Sequence, residues 1–291
     1  IHTYYILMKI GIIGNGFVGN ATKQLECKDI QVVCYDLIPE LCYPKNTKLI
    51  DLLDCQFIFI SVPTPMKKSG ECYTDTIKKI TYELKELNYK HFIVLRSTVP
   101  VGTSDDLNVY FMPEFLTEKN YIQDFINNKE WIFGLLNIND SKDNLFKSSI
   151  NELFTLAKDN NRIKYNNLYF VTNKEAEMVK MFKNCFLATK VSFCNEIYQF
   201  CQLKNINYEN VRKLACADYR ILDSHTSVPG PDGRKGFGGT CFPKDTNSLK
   251  YEMEKIGMKS YILDSIIKRN ILVDRPEKDW EQNKNRSVID N

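Results

Sequence analysis

The apolar run Lys9–Ile13 leads without a break into Gly14-Asn15-Gly16-Phe17-Val18-Gly19, and the next apolar run, Gln31–Tyr35, ends on Asp36. No other feature restricts the fold so tightly. In a strand–turn–helix of the form G-x-G-x-x-G, the first glycine makes the sharp turn and the second lets a pyrophosphate approach the backbone. The third lets helix and strand pack closely, and the helix N-terminus faces the phosphates. An acid at the end of the second strand accepts from a ribose 2′-hydroxyl and repels a 2′-phosphate. No Lys or Arg lies between Asp36 and Pro44 to favour that phosphate. The expected cofactor is therefore NAD, held by Gly14, Gly16, Phe17, Val18, Gly19 and Asp36.

The rest of the first half repeats the alternation. Strands are expected at Lys9–Ile13, Gln31–Tyr35, Phe57–Ser61, Phe92–Leu95, Val109–Phe111 and Trp131–Leu136, with amphipathic stretches such as Thr74–Leu87 between them. This pattern predicts an α/β domain over residues 1–172, a Rossmann-like doubly wound parallel sheet. Met8 reads as the natural start, with residues 1–7 expected to be upstream read-through or poorly ordered.

The pattern changes at Thr172-Asn173-Lys174-Glu175, a capping box. No Pro or Gly interrupts the chain from there to Asn205, and Val179, Phe182, Phe186, Leu187, Val191, Cys194 and Ile197 recur at helical spacing. A helix of that length runs roughly 50 Å and suits a spine or an interface. Shorter helices are expected at 208–217, 245–256 and 260–272, with a Gly/Pro-rich loop at Val228–Gly239. Residues 173–273 thus read as an all-α helical dimerisation domain, and 274–291 as a polar tail with Trp280 as its one docking anchor.

Composition excludes several classes of function. With 39 basic and 36 acidic residues the net charge is +3, which offers nothing to nucleic acid. No apolar run approaches the roughly 20 residues that span a bilayer. The ten cysteines include no C-x-x-C pair, and several lie inside apolar runs. They read as reduced, buried thiols of a cytoplasmic protein, with no disulfide framework and no metal site.

One cysteine differs from the others. Cys241 follows a glycine-rich turn in Gly236-Phe237-Gly238-Gly239-Thr240-Cys241-Phe242-Pro243-Lys244-Asp245 and stands four residues before an acid. This stretch resembles the UDP-glucose/GDP-mannose dehydrogenases, four-electron oxidisers of nucleotide sugars. So do the glycine turn, Val62-Pro63-Thr64-Pro65, Ser97-Thr98-Val99-Pro100, Pro113-Glu114-Phe115-Leu116-Thr117-Glu118, Lys180 with Asn184, Phe186-Leu187-Ala188 and Asn195-Glu196.

The resemblance implies that Cys241 captures an aldehyde as a thiohemiacetal and then carries a thioester. It implies that Lys180 and Asn184, on one helix face, stabilise the reacting oxygen, and that Asp245 assists the attacking water. Thr98 would orient water or lie against the nicotinamide, with Thr64 a further cofactor contact. Glu118, or Glu114 in the same turn, would position substrate or water as a further catalytic group. Glu114, Phe115, Leu116, Glu118 and Gly238 would meet the substrate, and Arg220 would reach into the partner's site of a homodimer built on the central helices. Arg234 or Lys235 could meet a phosphate. The three histidines, His2, His91 and His225, match no catalytic position.

Family members continue into a second Rossmann-like domain that binds much of the nucleotide, so the resemblance describes a short form without it. The leading expectation is oxidation of a nucleotide sugar at C6, UDP-glucose to UDP-glucuronate as first choice. The alternatives are a two-electron β-hydroxyacid dehydrogenase and a truncated, non-catalytic NAD-binding dimer.

Overall fold

The structure, a computed structural model, describes residues 7–137 and 140–289. The reading of residues 1–7 as upstream sequence falls, except for Leu7, outside the described residues. Two compact units emerge, one containing the residues up to Pro63 with Thr74–Lys180, the other Thr64–Tyr73 with the residues from Met181 onward.

Unit 1 is built on strands β1 (Met8–Ile13), β2 (Ile30–Tyr35), β3 (Phe57–Ile60), β4 (Phe92–Leu95), β5 (Tyr110–Phe111), β6 (Glu130–Leu135) and β7 (Asn167–Thr172), in the spatial order β2-β1-β3-β4-β5-β6-β7. Every pair is parallel except β5 with β6. The helices are α1 (Phe17–Lys23), α2 (Asp75–Glu86), α3 (Thr103–Leu107), α4 (Tyr121–Ile126), α5 (Ser141–Asp159) and the start of α6 (Asn173–Leu203). The uninterrupted apolar strands have their explanation here, because successive side chains enter cores on opposite faces. Phe57 and Phe59 pack with Ala21 of α1 and with Phe146, Ile150, Leu153 and Phe154 of α5. Ile58 and Ile60 pack with Ile77 and Leu84 of α2 and with Ala176 of α6.

The six expected strands are present, and β7 is added. It escaped the sequence reading because it is an edge strand whose side chains are exposed or half-buried, so no apolar run marks it. The capping box is formed as expected: Glu175 Oε2 accepts from the Thr172 amide and hydroxyl, both at 2.8 Å.

Unit 2 holds the rest of α6, then α7 (Tyr208–Ala215), α8 (Phe242–Lys255) and α9 (Tyr261–Arg269). Its core joins Met181, Cys185 and Ala188 of α6 to Phe237, Leu249, Leu263, Ile266 and Ile267. α8 begins three residues earlier than the expected 245. Pro243 lies in its first turn, where a backbone N–H has no helical partner to lose. The polar stretch after Val273 is folded onto this unit, with Trp280 and Arg275 buried. The Ser287 carbonyl accepts from the Met66 amide, and the Ile289 amide donates to the Met66 carbonyl. No helix among the described residues is long and apolar enough to cross a membrane.

Phe146 is the aromatic hub of the first core. It stacks on Tyr110 with centroids 3.7 Å apart and meets Phe57, Phe92 and Phe133 edge-on. Phe146→Ala is expected to destabilise unit 1 by about 4 kcal/mol, read from its urea unfolding midpoint.

Candidate active site

The glycine turn has the geometry a dinucleotide needs. Gly14 adopts φ +86°, and its N–H donates to the Tyr35 carbonyl at 2.9 Å. A Cβ on Gly19 would stand 2.0 Å from the Gly14 carbonyl oxygen, so only glycine lets α1 approach β1 this closely. Around Gly16 the space that a side chain would occupy is open, as backbone contact with a pyrophosphate requires. Asp36 accepts from the Asn15 amide at 2.7 Å and the Ile38 amide at 2.9 Å, which fixes the carboxylate beside the turn. Phe17 and Val18 open α1. The residues present fit NAD.

A second group of expected residues lies in the loops after β4 and β5. Lys180 of α6, only 3% exposed, donates to the Glu114 carbonyl at 2.8 Å and to Glu114 Oε1 at 2.6 Å. Glu114 Oε2 accepts from the Leu116 amide, which turns the Pro113–Leu116 loop back on itself. The Lys180 ammonium also lies 5.7 Å from the Phe115 ring centroid. Burial lowers the Arg96 guanidinium to about 10, an effect that the Glu114 charge opposes. Thr98 is buried in the loop that follows β4, and Glu118 is exposed four residues beyond Glu114.

That β4 loop is tied to α6 by a residue whose role the sequence did not reveal. Glu177, fully buried, accepts from the Gly102 amide at 2.6 Å and the Ser104 amide at 2.9 Å. Burial pushes its carboxyl up to about 6, against the pull of those N–H groups.

In unit 2, Cys241 is the N-cap of α8, and its carbonyl accepts the first helical bond, from Asp245. Asp245 is fully buried between two donors, Lys244 Nζ at 2.6 Å and Asn184 Nδ2 at 2.6 Å. Burial presses the Lys244 ammonium down, but Asp245, Cys72 and Cys241 outweigh it, and the group stays charged. Cys241 thus stands at the start of a 14-residue helix, within electrostatic reach of a buried cation. Other thiols are disarmed: burial pushes Cys34, Cys55 and Cys185 up to about 12 and Cys72 up to about 11. Cys241 itself is half-buried. Lys244 was legible as part of Phe242-Pro243-Lys244-Asp245, but nothing in the sequence marked it as buried and charged.

The structure thus brings together Lys180 with Glu114 and Phe115, and Asn184 with Asp245. Arg220 is exposed, with its guanidinium bonded to Asp218. Arg234 pairs with Asp279 at 3.2 Å, and Lys235 lies over the Tyr198 ring. Thr64 is buried at the start of the Thr64–Tyr73 segment, where its carbonyl accepts from the Cys72 thiol. Among the described residues no His, Cys, Asp and Glu cluster could hold a metal ion.

Glu177 yields a pH prediction. Its folded value lies above the ordinary 4.5, so its contribution to stability is fully present below pH 4.5 and is lost as pH rises through 6. Between pH 4.5 and 7, Glu177→Gln is expected to gain up to about 2 kcal/mol on the wild type, read from paired denaturation curves.

Similarity to known proteins follows the same two regions. Residues 45–155 match the NAD binding domain of the UDP-glucose/GDP-mannose dehydrogenase family, and residues 174–271 match its central domain. A UDP-glucose 6-dehydrogenase of Rickettsia bellii is 32% identical over 76% of this chain and 50% of its own length. The chain spans about half the length of several such curated relatives. Among solved structures, a UDP-glucose dehydrogenase from Pyrobaculum islandicum superposes with a TM-score of 0.77 at 21% identity, over 93% of this chain and 69% of that one. A 3-hydroxyisobutyrate dehydrogenase from Mycobacterium tuberculosis gives 0.68 at 11% identity, over 90% and 92%, so the fold alone does not separate the two kinds of enzyme. Sequence separates them: the chain belongs to the UDP-glucose/GDP-mannose dehydrogenase family and carries its NAD binding domain.

Proposed function

We propose that this chain catalyses the NAD-dependent, four-electron oxidation of a nucleotide sugar at C6, with UDP-glucose to UDP-glucuronate as the first choice, through a covalent bond to Cys241. The observation that carries this reading is the setting of Cys241. It caps a helix beside the buried Lys244–Asp245–Asn184 cluster, while burial disarms four other thiols.

NAD+, when bound at the glycine turn, takes up a hydride in each of the two oxidations. The chain's own residues act on the sugar. Loss of hydride from C6 and of the hydroxyl proton gives an aldehyde. The Cys241 thiolate adds to its carbon, a C–S bond forms, and the carbonyl oxygen takes the negative charge. Lys180 and Asn184, one helical turn apart on α6, are assigned to hold that oxygen. Loss of the second hydride leaves a thioester. Water then attacks the carbonyl carbon, the C–S bond breaks to release the thiolate, and Asp245 orients the water. In sum, alcohol, two NAD+ and water give acid, two NADH and two protons. Thr98 is assigned to the nicotinamide side, and Glu114, Phe115, Leu116, Glu118 and Gly238 to the sugar nucleotide.

The same reading pairs two copies through α6. Phe182, Phe186, Phe193, Phe200 and Leu203 are 54–78% exposed at spacings of four, seven, seven and three, the stripe of a helix–helix seam. Arg220 is then free to exchange Asp218 for the partner's substrate.

With NAD and a panel of UDP- and GDP-sugars, two NADH are expected per sugar consumed, and Cys241→Ser is expected to stop after the first. Full turnover to the acid by Cys241→Ala sinks the covalent route, and one NADH per substrate points to a two-electron enzyme. By light scattering, the wild type is expected as a dimer and the double variant Phe193→Glu/Phe200→Glu as a monomer. A monomeric wild type overturns the pairing.

A further inference from the structure

We infer that residues 270–279 are the mount that sets the position of the Cys241 sulfur, with Asn270 and Arg275 as its positioning residues. This inference rests on the covalent role proposed for Cys241.

Asn270 and Arg275 are almost fully buried, at 1% and 2% exposure. The Asn270 amide makes both backbone bonds of Phe237: Oδ1 accepts from its N–H at 2.9 Å and Nδ2 donates to its carbonyl at 2.8 Å. One residue earlier, the Gly236 amide donates to Asn195 Oδ1 of α6 at 3.1 Å. One residue later, the Arg275 guanidinium lies against Gly238, where a Cβ would stand 2.4 Å from Cζ. A Cβ on Gly236 would likewise stand 2.3 Å from Asn270 Oδ1. Three consecutive residues of the glycine loop are therefore fixed, two of them by backbone approaches that a side chain would prevent.

Arg275 is itself held on several sides. Nε and Nη2 donate to the two oxygens of Asp279 at 2.6 and 2.7 Å, and Nη2 also donates to Asp232 at 2.6 Å. The Arg275 amide donates to the Asn270 carbonyl at 2.7 Å, closing the turn that joins the two positioning residues. A planar fork bonded to two acids cannot be reproduced by an ammonium. Only Gly239, with φ +72°, and Thr240 separate this anchored segment from Cys241. On the other side of the cysteine, the first turn of α8 is buried. The sulfur thus hangs between two rigid supports, and the 270–279 segment supplies one of them. Loosening it lets the aldehyde carbon and the thiolate drift apart. Since a displacement of about 1 Å can cost two orders of magnitude in rate, the second oxidation suffers before the first.

The test compares wild type with Asn270→Ser, Arg275→Lys and Asp232→Asn; the last alters a half-exposed acid and so spares the fold if Arg275→Lys does not fold. Two readouts are taken: hydrogen exchange of the 236–241 segment without substrate, and NADH formed per sugar with hydroxylamine present to trap free aldehyde. In the folded variants exchange is expected to quicken at least tenfold. NADH per sugar is expected to fall from two toward one, with aldehyde oxime appearing and the KM for the sugar within about twofold of wild type. A packing role alone lowers the active fraction and leaves the stoichiometry at two, and that result overturns the inference, as does unchanged exchange. If the wild type itself turns over no nucleotide sugar, the functional reading fails instead, and the exchange readout alone decides whether the mount exists.

Discussion

One face of α6 carries four buried polar side chains, Asn173, Glu177, Lys180 and Asn184, at spacings of four, three and four. A helix that buries such a stripe must find a partner for each group, because an unpaired amide or charge in the interior costs several kcal/mol. The partners come from three pieces of chain, residues 102–109, Glu114 and Asp245. Asn173 donates to Asp105 and to the Val109 carbonyl. Glu177 takes the Gly102 and Ser104 amides, Lys180 takes Glu114, and Asn184 takes Asp245. The first three serve the sheet domain and the fourth serves the helical one. The loops that end the parallel strands are therefore docked by electrostatics and hydrogen bonds, whereas the sheet below them is docked by apolar packing.

Surroundings also set the cysteines apart from one another. Cysteine chemistry depends on the cost of an anion at sulfur, and that cost is set by surroundings and not by residue type. Cys34, Cys55 and Cys185 are deep in apolar cores, where a thiolate is prohibitive at neutral pH. Cys241 sits at a helix start beside a buried ammonium that Asp245 keeps charged. The Lys244–Asp245 pair is costly to bury, and removing either partner would leave an uncompensated charge. Such a pair is poor evidence for stability and better evidence for a fixed electrostatic environment.

The parallel sheet was legible because burial on both faces writes itself into sequence as unbroken runs such as Phe57-Ile58-Phe59-Ile60. The edge strand β7 was not legible, since an edge has one wet side and needs no such run. The glycine turn and the capping box at Thr172 were legible because both depend on neighbours a few residues apart. The early start of α8 was hidden by Gly239 and Pro243, which read as loop residues until the helix's first turn is seen to accommodate a proline. Residues 274–289 read as a tail because they are polar. Their polar atoms turn out to be spent on one another and on the glycine loop, as with Arg275 between Asp232 and Asp279.

By itself the sequence determined the fold of the first domain, the preference for NAD over NADP, the long helix and the family. Each of these rests on local spacing or on the periodicity of burial, and both survive in a linear string. Tertiary structure alone decided that Glu177 and Lys244 are buried charges, that Glu114 is the partner of Lys180, and that Asn270 and Arg275 grip the loop before Cys241. These are pairings across roughly 30 to 75 residues of chain, apart from the cation Lys244 beside its own neighbour Asp245. Their existence depends on how much water the surrounding fold removes, a quantity that no single residue carries.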